Sequence, residues 1–295
     1  MSSYSTKGII DLHVHAGPSV APRSVDAVEM FNQAKEAGYA GFVLKEHYIP
    51  TTTLAETINK HLRTGESDPV AYGGVVLNNS VGGLSTEAID ANYCAGARFV
   101  CLSTVSAWNH LDRHKVKFSG SGDMVTVETP IYYLDGDGKL KDDIKEVLKF
   151  CGERPDLMVM TGHCSAREID ALVPAAMEYG IKKLLVNHPH YEIGATNEQV
   201  KRWAEQGAYI ELNACVFAGI SRKTAVPLSV AAELIEAAGD RLVLDSDLGQ
   251  RHNDPPCVAL PRFIGFLQDE LGVTDAYLDQ ILKTTPAMLM AGKEE

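Results

Sequence analysis

The sequence predicts an α/β fold, a (β/α)8 TIM barrel, and three observations carry that expectation. Short apolar strands alternate with amphipathic helical segments eight times along 295 residues. The strands are short and predominantly apolar, as strands covered on both faces of a parallel sheet are. No GxGxxG or Walker signature follows the first strand, so nothing favours the competing open, doubly wound sheet with a nucleotide site.

In chain order, strand one spans 8–13, and a helix over 24–37 follows, with Ser24 as its cap and Gly38 as its stop. Strand two spans 41–46 and its helix 53–63; strand three spans 71–77 and its helix 85–95, closed by Gly96. Strand four, 98–103, interrupts the rhythm. An insertion over 104–139 comes next, in which MVTVETPIYYL alternates like a hairpin and residues 135–138 form a turn. A helix over 140–151 resumes the pattern. Strand five is 157–161 with a helix over 165–179, inside which Pro174 should kink the chain or mark a later start. Strand six is 183–187 with a helix over 196–206, and strand seven is 209–213 with a helix over 225–238. Strand eight, 241–245, precedes helical segments near 260–271 and 274–282. One domain over 1–295 is expected, with the insertion covering the barrel mouth or making an oligomer contact.

Composition narrows the partners. With 45% hydrophobic and 22% charged residues, the chain can bury a sizeable core. A net charge of -12 without a run of Lys or Arg argues against nucleic acid or an anionic membrane. No apolar segment approaches the roughly 18 residues of a membrane span, and the start MSSYSTKG is polar, so a soluble cytoplasmic protein is expected. Six scattered cysteines without a CxxC pair suggest neither a disulfide frame nor a zinc knuckle.

The informative stretch is IIDLHVHAGPS, residues 9–19. Alternate residues of a strand share a face, so His13 and His15 point the same way with Cβ atoms about 6.5 to 7 Å apart. His47, His163 and His188 also fall at or just past strand ends, and strand eight runs into LDSD with Asp245 and Asp247. In a barrel those ends form the face that carries chemistry. Five imidazoles and a carboxylate gathered there repel when protonated and are costly to desolvate when unpaired. A divalent cation relieves both, with His13, His15, His47, His163, His188 and Asp247 as candidate ligands. One or two ions are expected, zinc first, with iron or manganese as alternatives. Such an ion lowers the pKa of its water to around 7, and Asp247, at the loop edge, is the candidate base. On strand two, Lys45 and His47 share a face opposite Glu46, and that pair is expected inside. Arg23 and Arg251 can clamp a substrate carboxylate, and His110 is a further ligand or substrate contact. The expected partner is a small, anionic molecule.

The His13-Xaa-His15 pair, His163 in TGHCS, His188 in VNHPH and Asp247 in LDSDLGQ together resemble the amidohydrolase superfamily. The tail KTTPAMLMAG, 283–292, is similar to the C-terminal segment of many members. This resemblance spans the chain and implies a metal-dependent hydrolase barrel acting on amide, ester or related bonds. Catalytic roles would fall to Asp247 and His188, and Lys45 joins them as the inward residue of strand two. Many dinuclear members bridge two metals with a Lys or Glu at the end of strand four, and here LSTVSAWNH has neither. Strand two instead ends GFVLKEH, which resembles the second strand of the PHP phosphoesterases. An iron-dependent, diiron oxygenase on the same barrel, a PHP-like phosphoesterase and a metal-binding barrel without activity are the alternatives.

Overall fold

A computed structural model describes residues 4–292. In the first half, β1 (Ile10–Val14), α1 (Ala27–Ala37), β2 (Gly41–Leu44), α2 (Thr52–Leu62), β3 (Val70–Tyr72), β4 (Gly74–Val76), α3 (Thr86–Cys94), β5 (Phe99–Cys101) and α4 (Trp108–Arg113) follow one another. The second half holds α5 (Asp142–Gly152), β6 (Met158–Met160), α6 (Ala166–Glu178), β7 (Leu184–Val186), α7 (Asn197–Glu205), β8 (Tyr209–Asn213), α8 (Ser229–Ala238) and β9 (Leu242–Asp245). The chain closes with α9 (Pro256–Leu271), α10 (Asp275–Asp279), a π-helical turn over Gln280–Thr284, and α11 (Thr285–Met290). No helix among the described residues is long and apolar enough to cross a membrane.

The strands pair in parallel in two sheets, β1-β2-β3 and β4 through β9 in order. The strand expected over 71–77 is thus broken, and the break falls at Gly73. A β-carbon there would lie 2.6 Å from the Thr51 carbonyl oxygen. Thr51 also takes both backbone polar groups of Gly74, so pairing with β2 cannot run on. At the other edge, Val14 bridges Leu248, the His15 amide donates to the Leu248 carbonyl at 2.8 Å, and Ser246 Oγ donates to the His13 carbonyl at 3.0 Å. The end of β9 therefore lies against the end of β1.

Alternation along the strands sorts side chains into two cores. Ile10, Leu12, Val43, Val76, Phe99, Cys101, Met158, Met160, Leu185 and Val243 form an inner cluster with Leu289 and Met290 of α11. Ile9, Val14, Phe42, Leu44, Val100, Val159 and Val186 face the helices. In β1 the register slips by one residue between Asp11 and Val14. The extra residue resets the alternation, so that Leu12 and then His13 and His15 all lie on the inner side.

Helix ends follow local chemistry. Asp26, two residues past the expected Ser24, caps α1 with a reciprocal Glu29 bond, because it accepts the amides of Val28 and Glu29. Ser165 with Glu168 and Thr196 with Gln199 do the same for α6 and α7. Pro174 is accommodated inside a continuous α6. Within the insertion the turn at 135–138 forms, with the Asp135 amide donating to the Lys139 carbonyl at 2.8 Å and Leu134 bridging Leu140 antiparallel across it. The longer arm builds no strand ladder among the described residues: Ile131 bridges Ala107, and Val125 and Val127 are exposed.

Gly249 (φ 125°) locks the seam: a β-carbon there would lie 1.6 Å from the His15 carbonyl oxygen. Gly249→Ala is expected to cost roughly 3 kcal/mol or more. Gly65→Ala, with nothing within 4 Å, should stay within about 0.5 kcal/mol. Urea unfolding midpoints of the two variants check this.

Candidate metal centre

His13 and His15 emerge from β1 on the inner side, and the loop after β9 brings Asp247 over them. Asp247 Oδ1 lies 3.3 Å from His13 Nε2 and 3.0 Å from His15 Nε2, and its Oδ2 lies 3.9 Å from His188 Nε2. The far nitrogen of each ring is held from behind. His15 Nδ1 donates to the Lys45 carbonyl at 2.8 Å. His13 Nδ1 and His188 Nδ1 donate to the two oxygens of Glu211, each at 2.8 Å. The Asn213 amide nitrogen also lies 2.9 Å from His188 Nδ1, but a carboxylate keeps that ring proton, and Asn213 donates to Asp247 Oδ2 at 3.1 Å.

Burial, with the Lys45 charge, pushes His13 down to about 4, and burial likewise lowers His15. At pH 7 the His13 ring is neutral, and with Nδ1 protonated it offers a bare Nε2 lone pair. For His188, burial acts downward, but the Glu211 charge outweighs it and the net shift is upward. Burial acts upward on Asp247, yet the imidazoles of His13, His15 and His188 hold its carboxyl well below the usual range. The His13 lone pair therefore faces an ionised oxygen with no proton to share between them. His13 Nε2 is buried and without a hydrogen-bond partner. His13, His188 and Asp247 offer ligand atoms all within 4.8 Å of one another. This donor set fits a divalent cation.

The remaining expected residues spread around the same cavity, which has a volume of about 450 Å³. His47 is 5.0 Å from His15 and 6.0 Å from His163 between ring centroids, and His163 is 5.2 Å from His188. His110 and His114, from the insertion, also line it. Lys45 points inward but lies beneath this layer: its Nζ is buried, has no oxygen or nitrogen partner, and meets the Cys101 thiol. Glu46, on the opposite face, pairs with Arg23 at 2.8 Å, so the Arg23 charge is already spent on a carboxylate. Arg251 is exposed at the rim.

The sequence reading missed Glu211 and Glu192. Glu211 stands in the apolar run YIELN at the centre of β8, and a lone acid in such a strand must have buried donors; that was the available signal. Glu192 lies in the loop after β7, and nothing local marks it.

No curated protein sequence matches the chain. Several solved structures share its fold at low identity. An amidohydrolase from Pseudomonas aeruginosa aligns with a TM-score of 0.62 and 11% identity over 97% of this chain and 96% of that one. A mutant organophosphorus hydrolase gives 0.55 and 14% over 97% and 93%, and the A. niger ochratoxinase 0.51 and 14% over 97% and 72%. The fold is therefore of the amidohydrolase type. A family model described as "Family of unknown function (DUF6282)" matches residues 8–211, from the start of the paired-histidine strand through Glu211, and the chain belongs to that family.

Proposed function

We propose that the chain is a metal-dependent hydrolase of a small anionic molecule, its two sheets closing as one (β/α)8 barrel. The observation that carries this reading is the unpartnered, buried Nε2 of His13, 3.3 Å from an ionised Asp247 oxygen that His15 Nε2 also approaches at 3.0 Å. His13, His15, His188 and Asp247 would hold the ion, with His47 and His163 completing the ring of donors around the cavity. A divalent ion bound there supplies a Lewis acid for the scissile group's oxygen and a water acidified towards neutrality.

The chain's own residues do the rest. Glu211 and the Lys45 carbonyl keep the ring protons on Nδ1, so the ligand nitrogens stay deprotonated. Asp247 receives the proton of the attacking water and passes it on to the leaving group. Asn213 and Cys215, 3.1 and 2.9 Å from Oδ2, hold that oxygen in place. At the rim, Arg251 and Lys223 are exposed cations beside the cavity and suit a substrate carboxylate, whereas Arg23 is neutralised by Glu46. Zinc is placed first for this donor set. The six cysteines, all free, favour a reducing, cytoplasmic setting. The hydrolases that share the fold suggest amides, esters or phosphate triesters as the bond to test.

Protein purified without added metal should contain divalent ion by elemental analysis. It should also hydrolyse members of a panel of carboxylate-bearing amides, lactones, esters and phosphate triesters, and lose that activity to a chelator. Oxygen uptake without hydrolysis would make it an oxygenase instead, and turnover of phosphate monoesters alone a phosphoesterase. Asp247→Asn should lower kcat/KM by about 10³. Glu211→Gln should weaken metal affinity by about 10–100-fold, read by competition with a chromophoric chelator. Arg251→Ala should raise KM for the carboxylate-bearing substrate by about tenfold and leave kcat in place, because the contact is equal in ground and transition states.

A further inference from the structure

We propose that the insertion completes a second metal site, made by His110, His163 and Glu192, for a divalent transition ion of the zinc class. The inference deepens the hydrolase reading and rests on it only for the role of the ion, since the donor set stands by its own geometry. His110 Nδ1 lies 2.9 Å from Glu192 Oε1 and 3.0 Å from His163 Nδ1, and His163 Nδ1 lies 3.8 Å from Glu192 Oε1. Donor atoms about 2.0–2.2 Å from a tetrahedral ion stand about 3.3–3.6 Å apart. The three observed separations bracket that edge.

A hydrogen-bond network explains these contacts less well. If His110 Nδ1 gives its proton to Glu192, it has no lone pair left for His163, and if His163 donates to His110, Glu192 keeps only His114, 3.2 Å from Oε1. No tautomer set makes the 2.9 and 3.0 Å contacts both two-centre hydrogen bonds to an ionised Glu192. The Nε2 atoms of both rings are buried without a hydrogen-bond partner, so neither ring is held by a competing bond on its other side. His110 is 3% exposed, His163 7% and Glu192 4%, which keeps the donors out of bulk water.

The supports come from the insertion as well. His114 Nε2 lies 2.9 Å from Glu192 Oε2 and 3.2 Å from Oε1, so it anchors the carboxylate from behind while Oε1 also faces the two rings. Asn109 Nδ2 donates to the carbonyls of His163 and Glu192 at 3.1 and 3.3 Å, tying α4 to the ends of both barrel loops. With its His163 ring 5.2 Å from that of His188, this site opens on the same cavity as the first.

The test counts ions. Dialysed protein is titrated with Zn²⁺ and the bound metal per chain is measured by elemental analysis, with melting curves confirming that each variant folds. Wild type should take up two ions. Glu192→Gln and His110→Asn should each retain one, and Asp247→Asn should also retain one, that of the insertion site. Two ions persisting in Glu192→Gln and His110→Asn, or a single wild-type ion that survives both, overturns the proposal. A single wild-type ion lost in Glu192→Gln but kept in Asp247→Asn upholds this site and sinks the first centre. In zinc-soaked wild-type crystals an anomalous peak bonded to His110, His163 and Glu192 is expected, and its absence at full occupancy of the first centre overturns the site whatever the variants do.

Discussion

The architecture of the cavity depends on one buried carboxylate. Glu211 receives His13 Nδ1 and His188 Nδ1 on its two oxygens at 2.8 Å, with Asn187 Nδ2 at 2.9 Å and the His188 amide at 2.8 Å. Burial alone would raise its pKa, but His188 and His13 hold it well below the usual carboxylate range. A fully buried carboxylate is tolerated only with its lone pairs occupied, and these four donors occupy them. In return the carboxylate selects which nitrogen of each ring carries hydrogen. Rings from β1 and from the loop after β7 are thereby turned to one point, although 175 residues separate them.

The backbone is bent to serve the same point. Among the described residues, His188 and Asp247 are the non-glycine residues with positive φ, at 44° and 46°. Such conformations cost about 1–3 kcal/mol each and persist where surrounding bonds over-determine them. For His188 the bond is its amide to Glu211; for Asp247 it is its carbonyl, which accepts from Gln250 Nε2 at 2.6 Å. Asp11 adds a further constraint from β1. Its Oδ1 accepts the Ser246 amide at 3.0 Å and the His13 amide at 3.2 Å, so one side chain places the last strand's exit relative to the first histidine.

What was legible in the sequence is what local chemistry decides. Gly38 ends α1 in the left-handed conformation, and Ser85 caps α3, because these are choices made within a few residues. The histidines at strand ends were legible by position, and the structure gathers them around one cavity. Non-local features were not. The slip in β1 depends on how β2 pairs with it, and the interruption at Gly73 on where Thr51 lies. The insertion alternates like a hairpin, yet beyond the turn that Leu134 and Leu140 bridge, its longer arm finds a partner at Ala107. Glu192 reads as one more loop acid until α4 is packed against it.

The last strand shows how environment divides one residue type into two. Asp245 and Asp247 lie two residues apart and on one face, and their surroundings drive them in opposite directions. Asp245 is wholly buried beside Glu211 and Asp11; burial, then those like charges, push its pKa well above the usual value. Protonated, it sits beside Glu211 without setting a second negative charge against it. Asp247 meets three imidazoles and keeps its charge. Exchanging the two states would set an ionised Asp245 against an ionised Glu211 inside the strands and leave a neutral acid beside the His13 lone pair. Of these two acids the charge therefore sits on Asp247, at the cavity floor, and that is where a cation is demanded.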